Sequence, residues 1–172
     1  MGEGAGGPAP ASLARRLASL VYELLIVAAI VLVGGFALTP LMSPLADPNH
    51  ALLLPPPGVR LAGFALLAAL LAAYCAYGWS RGRRTLPMKT WRLLLVDAEG
   101  VPVTPKRALA RYAAAWIAPL VAIAAYAATH SPLAAAALAL NHAWALVDPE
   151  RRFLHDRLAG TRLVTDAPHV RA

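Results

Sequence analysis

The chain has 172 residues, of which 59% are hydrophobic and 15% charged, and its net charge is +7. Ordinary soluble domains hold roughly 45–50% apolar and about 25% charged residues, so a soluble domain of this composition would lack polar groups to cover its surface. Cys75 is the single cysteine, and His50, His130, His142, His155 and His169 include no pair at i, i+4, so neither a disulfide nor a metal or other cofactor is expected.

Residues 1–14, rich in Gly, Ala and Pro, read as a flexible tail, and residues 15–165 as the membrane domain. After Arg15-Arg16, the run Leu17–Leu38 is apolar except for Glu23 and covers about 30 Å of hydrocarbon. It is too long for a signal-peptide core, and no small-residue cleavage site follows it. Residues 39–60 carry Pro40, Pro44, Pro48 and Pro55-Pro56-Pro57, which predicts an extended connection. The second span is Leu61–Trp79, with Tyr74, Tyr77 and Trp79 suited to an interfacial belt.

Within residues 80–106, Met88, Trp91 and Leu95 fall at i, i+3 and i+7, away from Lys89 and Arg92. That spacing predicts a short amphipathic helix lying in the interface. Leu93–Val96 reads equally as a short strand before the turn Asp97-Ala98-Glu99-Gly100. The third span is Ala108–Ala128, with Arg111 one turn inside and snorkelling outward. Pro119 should kink it, and a neighbouring helix should satisfy the freed carbonyl. Thr129-His130-Ser131-Pro132 predicts a tight turn with Ser131 as a helix cap. The fourth run, Pro132–Val147, would reach only about 24 Å as an α-helix, short of a full hydrocarbon core. Residues 166–172 end a polar, basic tail.

Lysines and arginines number sixteen: two precede the first span, eight lie between the second span and the entry to the third, and five follow the fourth. Arg60 alone falls on the other side, and a fifteen-to-one split predicts that both termini and the middle loop are cytoplasmic. With three crossings the tail would face outward with its five arginines, so the fourth run is expected to span. The expected fold is all-α: a polytopic four-span helix bundle of a bacterial inner membrane, with a short interfacial element between spans two and three. Its cations border apolar runs and no stacking aromatics interleave with them, which favours anionic lipid over nucleic acid as the partner.

Glu23 lies about 9 Å into the first span, where a carboxylate costs roughly 2.5 kcal/mol or more. It reads either as a protonatable group on a transport path or as glue bonding a neighbouring helix. Arg16 is two turns earlier on the same face and within reach of it. Asn141 and His142 are polar residues of the fourth run, expected either to meet Glu23 or to bond between helices. His155-Asp156 lacks a Ser or Cys nucleophile in a recognisable motif, so no enzyme is expected, and Asp156 and Arg157 read as capping the tail or docking it against the basic middle loop.

Arg15-Arg16-Leu17 with an acid at Glu23, the stretch Thr85-Leu86-Pro87-Met88-Lys89 through Val96-Asp97-Ala98-Glu99-Gly100, and the ending His155-Asp156-Arg157-Leu158-Ala159-Gly160-Thr161 together resemble the RDD family of bacterial membrane proteins. The resemblance covers about residues 12–165. The family takes its name from one arginine and two aspartates. By this resemblance Arg16, with Arg15 as alternative, is the arginine. Glu23 replaces the first aspartate and Asp156 is the second, with Asp148 as alternative. The exchange of Asp for Glu keeps the charge and adds one methylene. The resemblance implies a membrane protein, with transport often suggested and ion–proton exchange proposed for some members. Two functions are therefore expected to compete: proton- or cation-linked transport by a homo-oligomer, since four spans are few for a solute path, and a non-transporting scaffold.

Overall fold

A computed structural model of the chain describes residues 10–42 and 55–165. The helices are α1 Leu13–Met42, α2 Pro57–Trp79, α3 Leu86–Thr90, α4 Pro105–Ala115, α5 Ile117–Thr129, α6 Leu140–Ala143 and α7 Leu154–Leu158. Strands β1 Leu93–Asp97 and β2 Thr161–Thr165 pair with each other, and 3-10 turns cover Pro132–Ala139 and Trp144–Leu146. Residues 1–9 of the expected tail, 43–54 of the first loop and the tail 166–172 lie outside the described residues.

Among the described residues, three helical stretches are long and apolar enough to cross a membrane: Leu13–Thr39, Pro57–Trp79 and Pro105–Thr129, with mean hydropathies of 2.5, 1.9 and 1.6. Each begins a turn before its apolar run. Their starts are set by local chemistry, whereas hydropathy marks only the hydrocarbon layer. Ser12 Oγ accepts the Arg15 N–H at 3.4 Å, and Thr104 Oγ1 accepts the Arg107 N–H at 3.3 Å. Proline opens α2 and α4, where its missing N–H costs nothing. Helices α1 and α2 approach closely at Gly34, where a Cβ would lie 2.6 Å from Leu67 Cδ2.

The third stretch breaks at Trp116, as Pro119 demands. Pro119 has no N–H for the carbonyl of Ala115, and Asn141 Nδ2 donates to that oxygen at 2.7 Å. The fourth apolar segment, Pro132–Leu146, is capped by Ser131 Oγ, which accepts the Leu133 N–H at 3.3 Å. Much of it is 3-10 rather than α, in runs of 8 and 3 residues. A 3-10 rise of about 2.0 Å per residue stretches the segment to about 28 Å, against about 22 Å for an ideal α-helix.

The protein is mostly helical rather than all-α. β1 and β2 are antiparallel, in register from Leu93↔Thr165 to Asp97↔Thr161. Pro10 bridges Val164 on one edge and Pro102 bridges Val96 on the other. The strand reading of Leu93–Val96 is therefore the observed one, with the short helix α3 placed before it. Met88 and Leu95 do not face the bilayer as an interfacial helix would have them. They are buried with Ala11, Trp79, Leu93, Val103 and Leu163 in a core beneath the helix ends. The covering partner, β2, arrives some seventy residues later in the chain, beyond the reach of local periodicity. Residues before 15 already belong to the fold: Ala11 is buried and its N–H donates to Leu163 O at 3.1 Å.

This sheet gathers the start of α1, the end of α2, the start of α4 and the chain after residue 153 at one end of the bundle. Residues 130–153 carry the chain back to it from the far end of α5.

Candidate functional site

At the foot of the bundle, α7 places Asp156 fully out of solvent, at 0% exposure. Arg111, two turns into α4, is also buried, and its Nε meets Asp156 Oδ1 at 2.6 Å. Thr161 Oγ1, at the start of β2, donates to the same oxygen at 3.2 Å. His155 Nε2 lies 3.2 Å from Arg111 Nη2 and 3.9 Å from Asp156 Oδ2. The face of the Arg111 guanidinium covers the Trp79 ring, 4.1 Å from its centroid. Arg111 therefore turns inward, contrary to the snorkelling expected of it. A buried carboxylate delivered by the distant tail is a stronger attraction than the water interface.

Arg16 is buried as well, and its Nη1 donates to Arg151 O at 2.8 Å. Asp148 shapes the turn that presents this carbonyl. Its Oδ2 accepts the N–H groups of Glu150 at 3.1 Å and Arg152 at 2.9 Å, and its Oδ1 takes Arg157 Nη1 at 2.5 Å. Arg151 itself sits at φ 52°, in the left-handed region. Arg15 is exposed, so of the two adjacent arginines Arg16 is the inward one. Arg157 docks onto Asp148, and Asp156 onto the third helical stretch.

Glu23 bonds neighbouring helices and does not meet Arg16. Its Oε1 accepts the Tyr74 hydroxyl at 2.8 Å and its Oε2 accepts the Thr85 hydroxyl at 2.8 Å. Thr85 Oγ1 in turn accepts the Met88 N–H at 3.5 Å and caps α3. One carboxylate thus joins α1, α2 and α3, while Arg16 points to Arg151. Asn141 and His142 do not come to Glu23 either. Asn141 is engaged with Ala115, and the His142 ring packs edge-on against Phe153 at 5.0 Å and His155 at 6.0 Å. Replacing Asn141 by leucine should lower stability by about 1 kcal/mol, because the Ala115 carbonyl loses its donor in an apolar layer. Thermal unfolding in detergent checks this, and an unchanged midpoint would show that another group takes over.

The charges around Asp156 set its titration. Burial alone would raise the Asp156 carboxyl, but the Arg111 guanidinium, with Arg16 beyond it, outweighs burial and holds it below the ordinary carboxylate value. Burial pushes the His155 imidazole down to about 4, against the pull of Asp156. The Arg152 N–H and the Arg157 guanidinium lower the Asp148 carboxyl against its burial. The site is therefore a cluster of fixed charges, Arg16, Arg111, Arg152 and Arg157 around Asp148 and Asp156, with a neutral imidazole beside Asp156. Among the described residues no three His, Cys, Asp or Glu side chains gather as a metal site would require.

Residue patterns in the sequence do not mark Arg111, Trp79, Thr161, Tyr74 or Thr85 as members of these clusters. The one available signal was Arg111 itself, a cation placed a turn inside an apolar helix, which implies a buried carboxylate somewhere in the chain. A family model described as the RDD family matches residues 10–160, a stretch that holds Arg16, Glu23, Arg111, Asp148 and Asp156. No curated protein and no solved structure matches the chain.

Proposed function

We propose that this chain, which belongs to the RDD family of membrane proteins, acts as a non-enzymatic, non-transporting scaffold of a bacterial inner membrane. In this reading it crosses four times, keeps both termini in the cytoplasm and offers its basic face to anionic lipid. The observation that carries the scaffold reading is the state of Glu23. Both of its oxygens are taken by hydroxyls of neighbouring elements, which is how a polar residue holds helices together. A carboxylate that carries a proton or cation must instead be released to exchange it.

The fourth crossing is supported by two independent lines. The charge split, fifteen to one with a fourth crossing, favours a tail that returns to the side of the middle loop. The stretched Pro132–Leu146 segment, at about 28 Å, approaches the roughly 30 Å of a hydrocarbon core.

Proton- or cation-linked transport by a homo-oligomer is the second reading, favoured by an acid at the depth of the first span. Reconstitution separates the two. Under the scaffold reading, pH-driven cation flux through wild-type vesicles equals that of empty vesicles. Glu23→Gln lowers accumulation and melting temperature, because an amide offers one acceptor where two are used. Wild-type flux that Glu23→Gln abolishes while assembling normally would overturn the scaffold reading and establish transport.

A further inference from the structure

Beside the β1–β2 pair lies a cavity that borders the clusters above and shares Glu150, Arg152 and Thr161 with them. It measures about 100 Å³ and is lined by Ala98, Glu150, Arg152, Gly160, Thr161 and Arg162. Two of its six lining residues are arginines. Gly160 leaves its side open, since a Cβ there would meet nothing within 4 Å. Arg162 lines the recess with a side chain whose Nε, among the described residues, has no hydrogen-bond partner. The one acid in the lining is Glu150. It is 60% exposed and meets Arg152 Nη2 at 3.3 Å, so it can swing away while Arg152 Nε keeps its second counter-ion, the buried Asp148, at 3.5 Å.

The cavity also has a defined neighbour. Leu146 and Val147, at the end of the fourth apolar segment, are 80% and 71% exposed. Only two residues separate Val147 from Glu150. In chain order, an exposed apolar pair that suits an acyl chain thus stands three residues from a recess whose two arginines suit a phosphate.

We propose that this recess binds the phosphate of an anionic phospholipid whose acyl chain lies along Leu146 and Val147. Glu150 is the stand-in counter-ion that the phosphate displaces from Arg152. The inference deepens the anionic-lipid part of the proposed function by giving it one site instead of a diffuse basic face. It does not depend on the outcome of the flux experiment: flux would remove the scaffold reading and leave this site in place.

The test uses the full chain in phosphatidylcholine nanodiscs doped with phosphatidylglycerol, with retained lipid read by native mass spectrometry. Arg162→Gln should retain phosphatidylglycerol about fivefold less, the effect of one lost cation–headgroup contact. Glu150→Gln should retain more, a gain that misfolding cannot mimic. Two charge-matched controls outside the lining, Arg92→Gln and Glu99→Gln, should leave retention unchanged. If each control matches its partner, the attraction is diffuse and the site is overturned. If inorganic phosphate binds equally well and displaces the lipid, the recess is a free-phosphate site and the lipid assignment fails.

Discussion

Replacing Asp156 by alanine should cost about 3–5 kcal/mol, because it leaves the buried Arg111 cation without its counter-charge. Against a typical total stability of about 5–15 kcal/mol, this should show as a large fall in melting temperature and in accumulation. Removing Arg111 should cost a similar amount, by stranding Asp156. Arg111→Lys should not restore it, since an ammonium neither stacks on Trp79 nor reaches Asp156 and His155 together. The decisive comparison is the double variant Arg111→Met with Asp156→Leu. A buried ion pair replaced by packed apolar groups is often neutral or stabilising, so the double variant should recover most of what either single variant loses. Single variants within about 0.5 kcal/mol of the wild type would show that the pair is solvated and not buried.

Acid should destabilise the protein well above the range where carboxylates titrate. His155 has a folded pKa of about 4 against an ordinary 6.5, so between these values the unfolded chain binds a proton that the folded chain excludes. Stability therefore falls as pH drops through this window, by about 3 kcal/mol in full. Asp148 and Asp156 act lower. Their folded carboxyls lie below the ordinary 3.8, so the stability they supply is present above that value and is lost as pH falls through the folded ones. His155→Gln keeps an acceptor toward Arg111 but does not titrate. Melting temperatures measured from pH 7 to pH 4 should therefore flatten in this variant while the loss at lower pH persists. An unchanged slope would mean that His155 is protonated in the folded protein.

These effects arise from residues whose partners the chain order conceals. Arg111 and Asp156 are 45 positions apart and Glu23 and Thr85 are 62 apart. Nothing in local periodicity joins them. The contact open to Arg16 and Glu23 rested on a shared helix face, which is a local argument. It gave way because Arg16 found a carbonyl in the turn that Asp148 organises. Asn141 was more legible. Pro119 announces an orphaned carbonyl four residues earlier, and a polar side chain in the next apolar run is the natural donor.

What the sequence by itself determined is the membrane character of the chain, the three long spans to within a turn, the break at Pro119 and the Ser131 cap. Each follows from interactions within a few residues or from the bilayer, which acts on every span alike. The tertiary structure alone decided the rest. It paired β1 with β2, buried Met88 and Leu95 inside the cap, and turned Arg111 inward to Asp156. It also lengthened the short fourth run by winding it as a 3-10 helix. The physical reason is common to all of these: each requires a partner, or a fixed endpoint, supplied by a distant part of the chain.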